Sequence, residues 1–295
     1  MAMERVSVLG LGTMGGAMAA NIARAGFPLT VWNRTAERAR PLRDLGAAQA
    51  KTPAEAVADS AIALVCVSDT PDVEAVLFGD DGLASGARDG LLVVDTSTIS
   101  PVATRDFAAR LKAQGVALVD APVSGGSEGA QKGTLSIFVG GDQPDVDRAR
   151  PVLEAIGKTI THVGPVGSGQ AVKAVNQVIL AGAYLGVAEG IVLALKAGLD
   201  VEQVVGALSG GAAQSWVLTN RSGRMIANDY PLGFKVALHR KDLGIALELA
   251  RETGTFLPIS ALCEQIEAGL LGRGHGDDDI SAVARTIREL SGLDA

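Results

Sequence analysis

The spacing of apolar and polar positions changes near residue 167, and this change divides the chain into two parts. Before it, short apolar runs rich in β-branched residues alternate with longer stretches that have helical spacing. This alternation is typical of strands joined by helices in a mostly parallel sheet. After it, the strand-like runs disappear and only the helical spacing remains. We therefore predict an α/β domain at 1–165 and an all-α domain at 166–295.

The predicted elements follow from the same pattern. Strands are predicted at 6–10, 29–33, 61–68, 91–96, 116–119 and 135–139, and helices between them at 14–25, 36–45, 101–114 and 145–156. In the second half, helices are predicted at 201–208, 236–253, 259–268 and 280–291. One long helix over about 170–197 connects the two domains and, at about 1.5 Å per residue, is roughly 40 Å long. No flexible linker is evident, so we expect a helical, stiff boundary.

Composition narrows the classes of function. Of the 295 residues, 47% are hydrophobic and 20% are charged, which is ordinary for a globular protein. The net charge of −7 argues against nucleic-acid binding, because that function needs a basic surface. Cys66 and Cys263 stand far apart and only three histidines are present, so we expect no metal site.

The N-terminus and the most apolar stretch indicate where the protein resides. The first strand begins by Arg5, which leaves no room for a targeting segment, and the few cysteines fit a reducing compartment. The stretch 178–195 is the most apolar, but the uncharged run before Glu189 is too short to span a bilayer. We therefore predict a cytoplasmic protein without membrane contact, in which this stretch is a buried helix.

A glycine-rich turn stands between the first predicted strand and the first predicted helix. Its residues are Gly10, Leu11, Gly12, Thr13, Met14 and Gly15, which match G-x-G-x-x-G. In that pattern the first glycine permits a tight turn, the second lets a pyrophosphate approach the backbone, and the third lets the helix pack close to the strand. A turn with only a structural role is the alternative. The position at the start of a βαβ unit favours a dinucleotide site and hence a Rossmann domain.

The end of the second predicted strand indicates which dinucleotide is bound. NAD sites usually carry a carboxylate here, which bonds the ribose 2′-hydroxyl. This chain has Asn33, Arg34 and Thr35 instead. A guanidinium pairs with a 2′-phosphate through two parallel hydrogen bonds, so Arg34 favours NADP(H) over NAD(H), with Asn33 and Thr35 as neutral donors. The alternative is that Arg34 is only a solvated surface residue.

A second loop has the composition of a carboxylate-binding turn. Ser124, Gly125 and Gly126 follow a predicted strand, and such a loop can direct consecutive backbone N–H groups at one anion. The Ser124 hydroxyl would add a further donor. A simple turn is the alternative, and this motif alone does not decide between the two.

The start of the long helix carries a candidate proton donor. Lys173, Asn176 and Gln177 share one helical face, which continues into apolar positions. A lysine on an apolar, glycine-flanked face loses water, which favours its neutral form and suits a group that gives and takes a proton. The alternative is a lysine that extends along an amphipathic helix to solvent. The neighbouring amides favour the catalytic interpretation.

These motifs make the chain similar to the β-hydroxyacid dehydrogenase family, which includes 3-hydroxyisobutyrate dehydrogenase, tartronate semialdehyde reductase and glyoxylate/succinic semialdehyde reductase. The resemblance spans nearly the whole chain. It rests on the glycine-rich turn with Met18 and Asn21, Asp95-Thr96-Ser97-Thr98, Asp120 to Gly126, Gly133-Thr134-Leu135 with Gly140-Gly141, Gly167 to Gln177, and Lys241-Asp242-Leu243. Motifs in this order are specific for the family and much less specific for the substrate.

The resemblance implies an oxidoreductase that interconverts a small 3-hydroxy acid and its aldehyde or keto acid. It implies that Lys173 is the catalytic acid and base and that Asn176 hydrogen-bonds the substrate oxygen. The implied substrate residues are Lys173, Asn176, Gln177 and, around the carboxylate, Ser124, Gly125 and Gly126. The implied cofactor residues are Gly10, Leu11, Gly12, Thr13, Met14, Gly15, Asn33, Arg34, Thr35, Val67, Ser68, Thr98 near the nicotinamide, and Lys241 with Phe234, which close over the cofactor.

Other functions and roles stay open at this point. An imine reductase has a related fold but usually lacks the lysine, so Lys173 argues against it. A non-catalytic dinucleotide-binding module is disfavoured by Lys173 together with Asn176, and a flavoprotein by Arg34. The substrate candidates are glyoxylate, succinic semialdehyde, tartronate semialdehyde and 3-hydroxyisobutyrate. The apolar second half predicts a homo-oligomer, a dimer or a tetramer.

The acidic run 277–279 resembles a carboxylate cluster, but a structural role explains it more simply. Asp279 stands where it can cap the last predicted helix, since a carboxylate at a helix start complements the helix dipole. His239 and His275 have no obvious partner in the sequence, and we assign no chemistry to them.

Overall fold

The computed structural model describes residues 3–293, which form two compact units that divide after Lys173. Within these residues the first unit contains one sheet of nine strands. They are β1 (Val6–Leu9), β2 (Leu29–Trp32), β3 (Ala48–Gln49), β4 (Ile62–Val65), β5 (Leu92–Asp95), β6 (Ala117–Asp120), β7 (Val123–Ser124), β8 (Leu135–Gly140) and β9 (Gly157–Gly164). Their spatial order is β3-β2-β1-β4-β5-β6-β8-β7, and β9 pairs with β8.

The sheet is mostly parallel, as predicted. The strands β1 to β6 pair in parallel with their neighbours, whereas β8 runs antiparallel to β6 and to β7. The register aligns the ends of neighbouring strands: Leu9 is opposite Trp32 and Val65, and Asp95 is opposite Val65 and Asp120. The carboxyl ends of β1, β2, β4, β5 and β6 therefore form one edge of the sheet.

Helices of the first unit are α1 (Thr13–Arg24), α2 (Arg40–Arg43), α3 (Pro53–Val57), α4 (Thr70–Phe78), α5 (Leu83–Gly86), α6 (Pro101–Lys112), α7 (Gly126–Lys132) and α8 (Gln143–Ile156). The central strands are buried on both faces, and for this reason they appear in the sequence as continuous apolar runs. Successive residues of a strand point to opposite faces, so Val8 joins Met18 of α1 in one core cluster and Leu9 joins a second cluster with Phe107 of α6.

The long helix α9 (Ser168–Lys196) runs from the last residues of the first unit into the second. The other helices of the second unit are α10 (Val201–Leu208), α11 (Trp216–Ala227), α12 (Val236–Thr253), α13 (Pro258–Gly272) and α14 (Val283–Leu290). The described part of this unit contains no strand longer than an isolated bridge, and its core brings together Tyr184, Met225, Leu243 and Leu270. The predicted fold class, a Rossmann domain with a long helix and an all-α second half, is confirmed.

By length and composition alone, α9 is apolar enough to cross a bilayer, since it has 29 residues and its most apolar stretch of 18 residues has a mean hydropathy of 2.1. Core helices of soluble proteins meet the same criterion, and Tyr184 and Ala188 of α9 lie in the core of the second unit. The predicted burial of 178–195 holds for only part of the helix, because Ile179 and Leu193 are 67% and 71% exposed. The absence of membrane contact stays a prediction.

Several elements differ from the sequence prediction for local reasons. The predicted helix 36–45 is a 3₁₀ turn (Ala36–Ala39) followed by α2, because Pro41 lacks an N–H and fits only the start of a new helical segment. The helices α3, α4 and α11 and the strand β9 were not predicted. Strand β9 is an edge strand with mostly polar, partly exposed residues, so no apolar run marks it.

Candidate active site

The carboxyl edge of the sheet collects the predicted cofactor residues of the first unit. Gly10 follows β1, Asn33 follows β2, Val67 follows β4 and Thr98 follows β5 within three residues. Because these strands are parallel and in register, the residues that follow them emerge at the same edge. In open α/β sheets this edge is where ligands bind.

The glycine-rich turn needs glycine at two positions for packing and leaves the third open. A Cβ on Gly10, whose φ is +98°, would lie 2.2 Å from the carbonyl oxygen of Cys66. A Cβ on Gly15 would lie 2.1 Å from the carbonyl oxygen of Gly10. At Gly12 the nearest such atom is a guanidinium nitrogen of Arg38, 3.9 Å away. The space beside Gly12 is therefore open to a ligand.

The start of α1 offers backbone donors beside this opening. Gly12 occupies the N-cap position of α1, and no side chain of the described residues caps it. The first N–H groups of a helix have no partner within the helix, and its dipole favours an anion at this end. The turn therefore has the form of a pyrophosphate site, and the residues fit a dinucleotide cofactor.

Asn33 braces the turn from the neighbouring strand. Its Oδ1 accepts a hydrogen bond from the Leu11 N–H at 2.7 Å, and its Nδ2 donates to the carbonyl oxygen of Thr35 at 2.9 Å. The sequence predicts Asn33 as a direct donor to the cofactor. That role stays a prediction, and in the structure the side chain holds the backbone of the glycine-rich turn.

Arg34 lines a basic surface pocket. Its side chain is 88% exposed, and its Nη1 lies 3.7 Å from a carboxylate oxygen of Asp72. The pocket has a volume of about 600 Å³. Its lining residues are Trp32, Asn33, Arg34, Ala36, Arg43, Gln49, Ala50 and Lys51. The sequence analysis missed Arg43 and Lys51, because they stand 9 and 17 residues after Arg34 and only the fold brings them together.

The predicted carboxylate-binding residues lie where β7 passes into α7. Ser124 ends β7 opposite Ser136 of β8, and Gly125 and Gly126 begin α7 with φ of +134° and +64°. Both values lie in the region that favours glycine. The segment is therefore a strand end and a helix start, and the binding of a carboxylate there stays a prediction.

Lys173 lies in the first turns of α9 and is only 7% exposed. The start of this helix is held by Asp120, the last residue of β6. Its two carboxylate oxygens accept hydrogen bonds from the N–H groups of Gly167 at 2.7 Å and Gln170 at 2.8 Å. Complete burial raises the pKa of Asp120 to about 6, while these two N–H donors act to lower it. No role for Asp120 was predicted, although it lies in a quoted motif.

Glycines make room for this carboxylate. A Cβ on Gly140 would lie 2.5 Å from Oδ1 of Asp120. A Cβ on Gly169 would lie 2.8 Å from Oδ2 and 2.4 Å from the carbonyl oxygen of Phe138. Any larger residue at either position would therefore displace the group that holds the start of α9.

In the second unit, two predicted substrate residues join a hydrogen-bond chain. Asn176 Nδ2 donates to Gln177 Oε1 at 2.7 Å, and Gln177 Nε2 donates to Asp242 Oδ2 at 2.7 Å. The ammonium of Lys241 lies 3.0 Å from the other carboxylate oxygen of Asp242. Asp242 was not predicted as a site residue, and it connects α12 to the Asn176 side chain of α9.

Phe234 and the acidic run meet at Asp279. The backbone N–H of Phe234 donates to Asp279 Oδ2 at 3.0 Å, and Arg224 forms an ion pair with the same oxygen at 3.0 Å. Asp279 caps the 3₁₀ turn Ile280–Ala282 through the Ser281 N–H and not the α-helix that follows. The structural role predicted for Asp279 is confirmed, with this change of detail.

His239 and His275, for which the sequence shows no obvious partner, each have one in the structure. His239 of α12 is fully buried, and its Nδ1 lies 2.6 Å from Glu267 Oε1 of α13. The Cys263 thiol lies 3.7 Å from the same oxygen. His275 lies 3.1 Å from Asp278. The partner of His239 is 28 residues away and was not visible in the local pattern.

Comparisons with known proteins agree with this arrangement. Residues 5–164 match the family described as the NAD-binding domain of 6-phosphogluconate dehydrogenase, and residues 167–287 match NAD-binding of NADP-dependent 3-hydroxyisobutyrate dehydrogenase. The chain is 41% identical to 2-hydroxy-3-oxopropionate reductase of Escherichia coli, over 96% of this chain and 97% of that protein. These matches cover both units.

Solved structures show the same fold. Mycobacterium tuberculosis 3-hydroxyisobutyrate dehydrogenase with L-serine is 33% identical, with a TM-score of 0.89 over 97% of this chain and 100% of that one. An imine reductase from Pseudomonas sp. is 24% identical, with a TM-score of 0.66 over 97% of this chain and 100% of that one. The second likeness is more distant and concerns the fold alone.

Proposed function

Because the chain belongs to the β-hydroxyacid dehydrogenase family, we propose that it interconverts a small 3-hydroxy acid and its aldehyde or keto acid with NADP(H). The observation that carries the proposal is the carboxyl edge of the sheet, where the open space beside Gly12 meets the uncapped start of α1. A nicotinamide dinucleotide bound there supplies the hydride chemistry. The protein supplies binding, orientation and proton transfer.

Lys173 is the proposed proton donor and acceptor. In reduction its ammonium gives a proton to the carbonyl oxygen of the substrate, and in oxidation its amine takes the hydroxyl proton. The low exposure of Lys173 supports this role, because a group that is partly removed from water exchanges protons more readily with a substrate. Asn176 holds the substrate oxygen, and Ser124 with Gly125 and Gly126 holds the carboxylate. Such positioning contributes several kcal/mol of barrier lowering.

The preference for NADP(H) rests on charge at the end of β2. Arg34 lines the basic pocket together with Arg43 and Lys51. The nearest carboxylate to Arg34, that of Asp72 at 3.7 Å, is not part of the described lining. A 2′-phosphate carries three strong acceptor oxygens and a negative charge, so it pairs with such a group of cations. A neutral 2′-hydroxyl gains little binding energy from the same cations.

Replacing Arg34 with aspartate is expected to reduce kcat/KM for NADPH by about 10-fold or more and to leave kcat/KM for NADH nearly unchanged or raised. The reason is that a carboxylate repels the 2′-phosphate and bonds the 2′-hydroxyl. Initial rates with each cofactor measure the ratio. The exposed Arg40 of α2, changed in the same way, is the control. A wild type that prefers NADH would contradict the assignment.

The function itself is tested by NADPH consumption across glyoxylate, succinic semialdehyde and tartronate semialdehyde, and by NADP⁺ reduction with 3-hydroxy acids that include 3-hydroxyisobutyrate. At least one is expected to reach a kcat/KM of about 10⁴ M⁻¹s⁻¹, the lower end of the usual range for enzymes. A cyclic imine serves as the competing substrate. Turnover of the imine alone, or dinucleotide binding without turnover of any acid, would overturn the proposal.

The remaining parts of the proposal concern location and assembly. The chain is proposed to act in the cytoplasm, on a small carboxylate, without nucleic acid or membrane. It is also proposed to form a homo-oligomer, a dimer or tetramer. The exposed apolar side chains of the second unit support association, among them Ile179 and Leu193 of α9 and Phe256.

A further inference from the structure

The side chain of Gln170 connects α9 to the segment that follows β5. It is 1% exposed, and both ends of its amide are used. Its Nε2 donates to the carbonyl oxygen of Ser97 at 2.8 Å, and its Oε1 accepts from the N–H of Ile99 at 3.1 Å. These two backbone groups flank Thr98. The amide therefore holds the backbone on both sides of the residue that is proposed to lie near the nicotinamide.

The same segment is tied to the neighbouring strand ends. The hydroxyl of Ser97 accepts a hydrogen bond from the Val67 N–H at 3.0 Å, and the Ser97 N–H donates to Asp95 Oδ1 at 3.0 Å. Val67 is another proposed cofactor residue. The position of Gln170 therefore affects both Thr98 and Val67, two residues that are proposed to contact the dinucleotide.

Gln170 is itself fixed on the side of α9. Its N–H donates to Asp120, which also holds Gly167, so the first turn of the helix cannot shift without breaking two buried hydrogen bonds. Lys173 stands three residues further along α9 and shares a helical face with Gln170. Within the first unit, one side chain therefore links the helix turn of the proposed proton donor to the loop of Thr98.

We propose that Gln170 is a positioning residue that sets the distance between the Lys173 amine and the nicotinamide through its two hydrogen bonds around Thr98. The inference rests on the proposed function, since it requires Lys173 to transfer the proton. Gln170 does not touch the reacting atoms. It acts because hydride and proton transfer need near-contact geometry, and a displacement of about 1 Å can cost about 10²-fold in rate.

Substitution of Gln170 by methionine keeps the length of the side chain and removes both hydrogen bonds. Expected results are a fall in kcat of about 10-fold or more and a change in the Kd for NADPH of less than about 3-fold, because the pyrophosphate turn is untouched. Rates are expressed per active site, counted by NADPH titration. A second readout is the fluorescence of bound NADPH, which reports the surroundings of the nicotinamide and is expected to change at saturation.

Two further variants separate positioning from simple stability. Thr104→Val removes another buried hydrogen-bond donor, since the Thr104 hydroxyl donates to the carbonyl oxygen of Ser100 at 3.0 Å. This variant is expected to lower the thermal midpoint without changing kcat per active site. Gln170→Asn keeps an uncharged amide on a side chain that is one methylene shorter, so it withdraws the amide from Ser97 and Ile99 without burying a charge. It is expected to retain the fold and to lower kcat, so it replaces Gln170→Met if that variant does not fold.

Wild-type kcat per active site and unchanged NADPH fluorescence in the folded Gln170 variant would overturn the inference. Lys173→Ala, measured in parallel, distinguishes this failure from failure of the proposed function. If Lys173→Ala is inactive and the Gln170 variant is normal, only the positioning role is wrong. If Lys173→Ala is fully active, the proposed mechanism is wrong as well.

Discussion

Replacement of Lys173 by alanine is expected to reduce kcat by about 10²-fold or more while the Kd for NADPH stays within about 3-fold of the wild type. The substrate oxygen would then lose its proton donor, whereas the glycine-rich turn and the basic pocket remain. Steady-state rates with the best substrate of the screen give kcat, and titration of NADPH fluorescence gives Kd. This is the largest kinetic effect that the proposed mechanism predicts.

Two control variants make the Lys173 result specific. Lys173→Met keeps most of the aliphatic side chain in its buried position, so it tests whether the loss comes from the amine or from a cavity in α9. Lys158→Met removes an exposed lysine of β9 and is expected to leave kcat unchanged. A Lys173→Ala protein that turns over at the wild-type rate would exclude this residue as the acid and base.

The second large effect is expected at Gly12, where valine should raise the Kd for NADPH by about 10-fold or more with little change in the thermal midpoint. A tenfold change corresponds to about 1.4 kcal/mol. The φ of −68° at Gly12 is open to any residue, and the nearest atom to its Cβ position in the described structure is a guanidinium nitrogen of Arg38, 3.9 Å away, at the end of a flexible side chain. The new side chain would occupy only the space through which the pyrophosphate approaches. Calorimetric titration and thermal unfolding measure the two quantities.

Neighbouring glycines of α1 provide the contrast. In Gly16→Ala the new Cβ would lie 3.6 Å from its nearest atom, and alanine forms helices better than glycine. The affinity for NADPH and the thermal midpoint are therefore expected to stay the same or rise slightly. Gly15→Ala places a Cβ 2.1 Å from a backbone oxygen and is expected to lower the thermal midpoint strongly. If Gly12→Val bound NADPH as tightly as the wild type, the open space beside Gly12 would not be the cofactor site.

Much of the fold could be predicted because the sheet is buried on both faces. Its strands are apolar runs bounded by polar residues, and the helices α1, α6 and α8 have clear spacing and starts. Elements without such runs were missed. The helix α4 is an example whose signal was present: Asp69 caps it and Pro71 stands in its first turn, a combination that marks a helix start.

The candidate site was predictable only where the chemistry is contiguous in sequence. Gly10 to Gly15 form a motif, and the packing at Gly10 and Gly15 agrees with the roles that the motif assigns them. The contacts of Asp120 with Gln170, and of His239 with Glu267, join residues 50 and 28 positions apart. No spacing rule connects such pairs, because the register of the sheet and the packing of helices decide which distant residues meet.

The enclosure of Asp120 makes three positions of the chain interdependent. Gly140 and Gly169 leave no volume for a methyl group beside its carboxylate, and that carboxylate in turn holds the start of α9. A change at one of the three therefore alters which residues the other two can accept. Scans of single substitutions would score each position as intolerant and would overlook combined replacements that fill the same volume. Any redesign of this interior has to vary the three positions as a set.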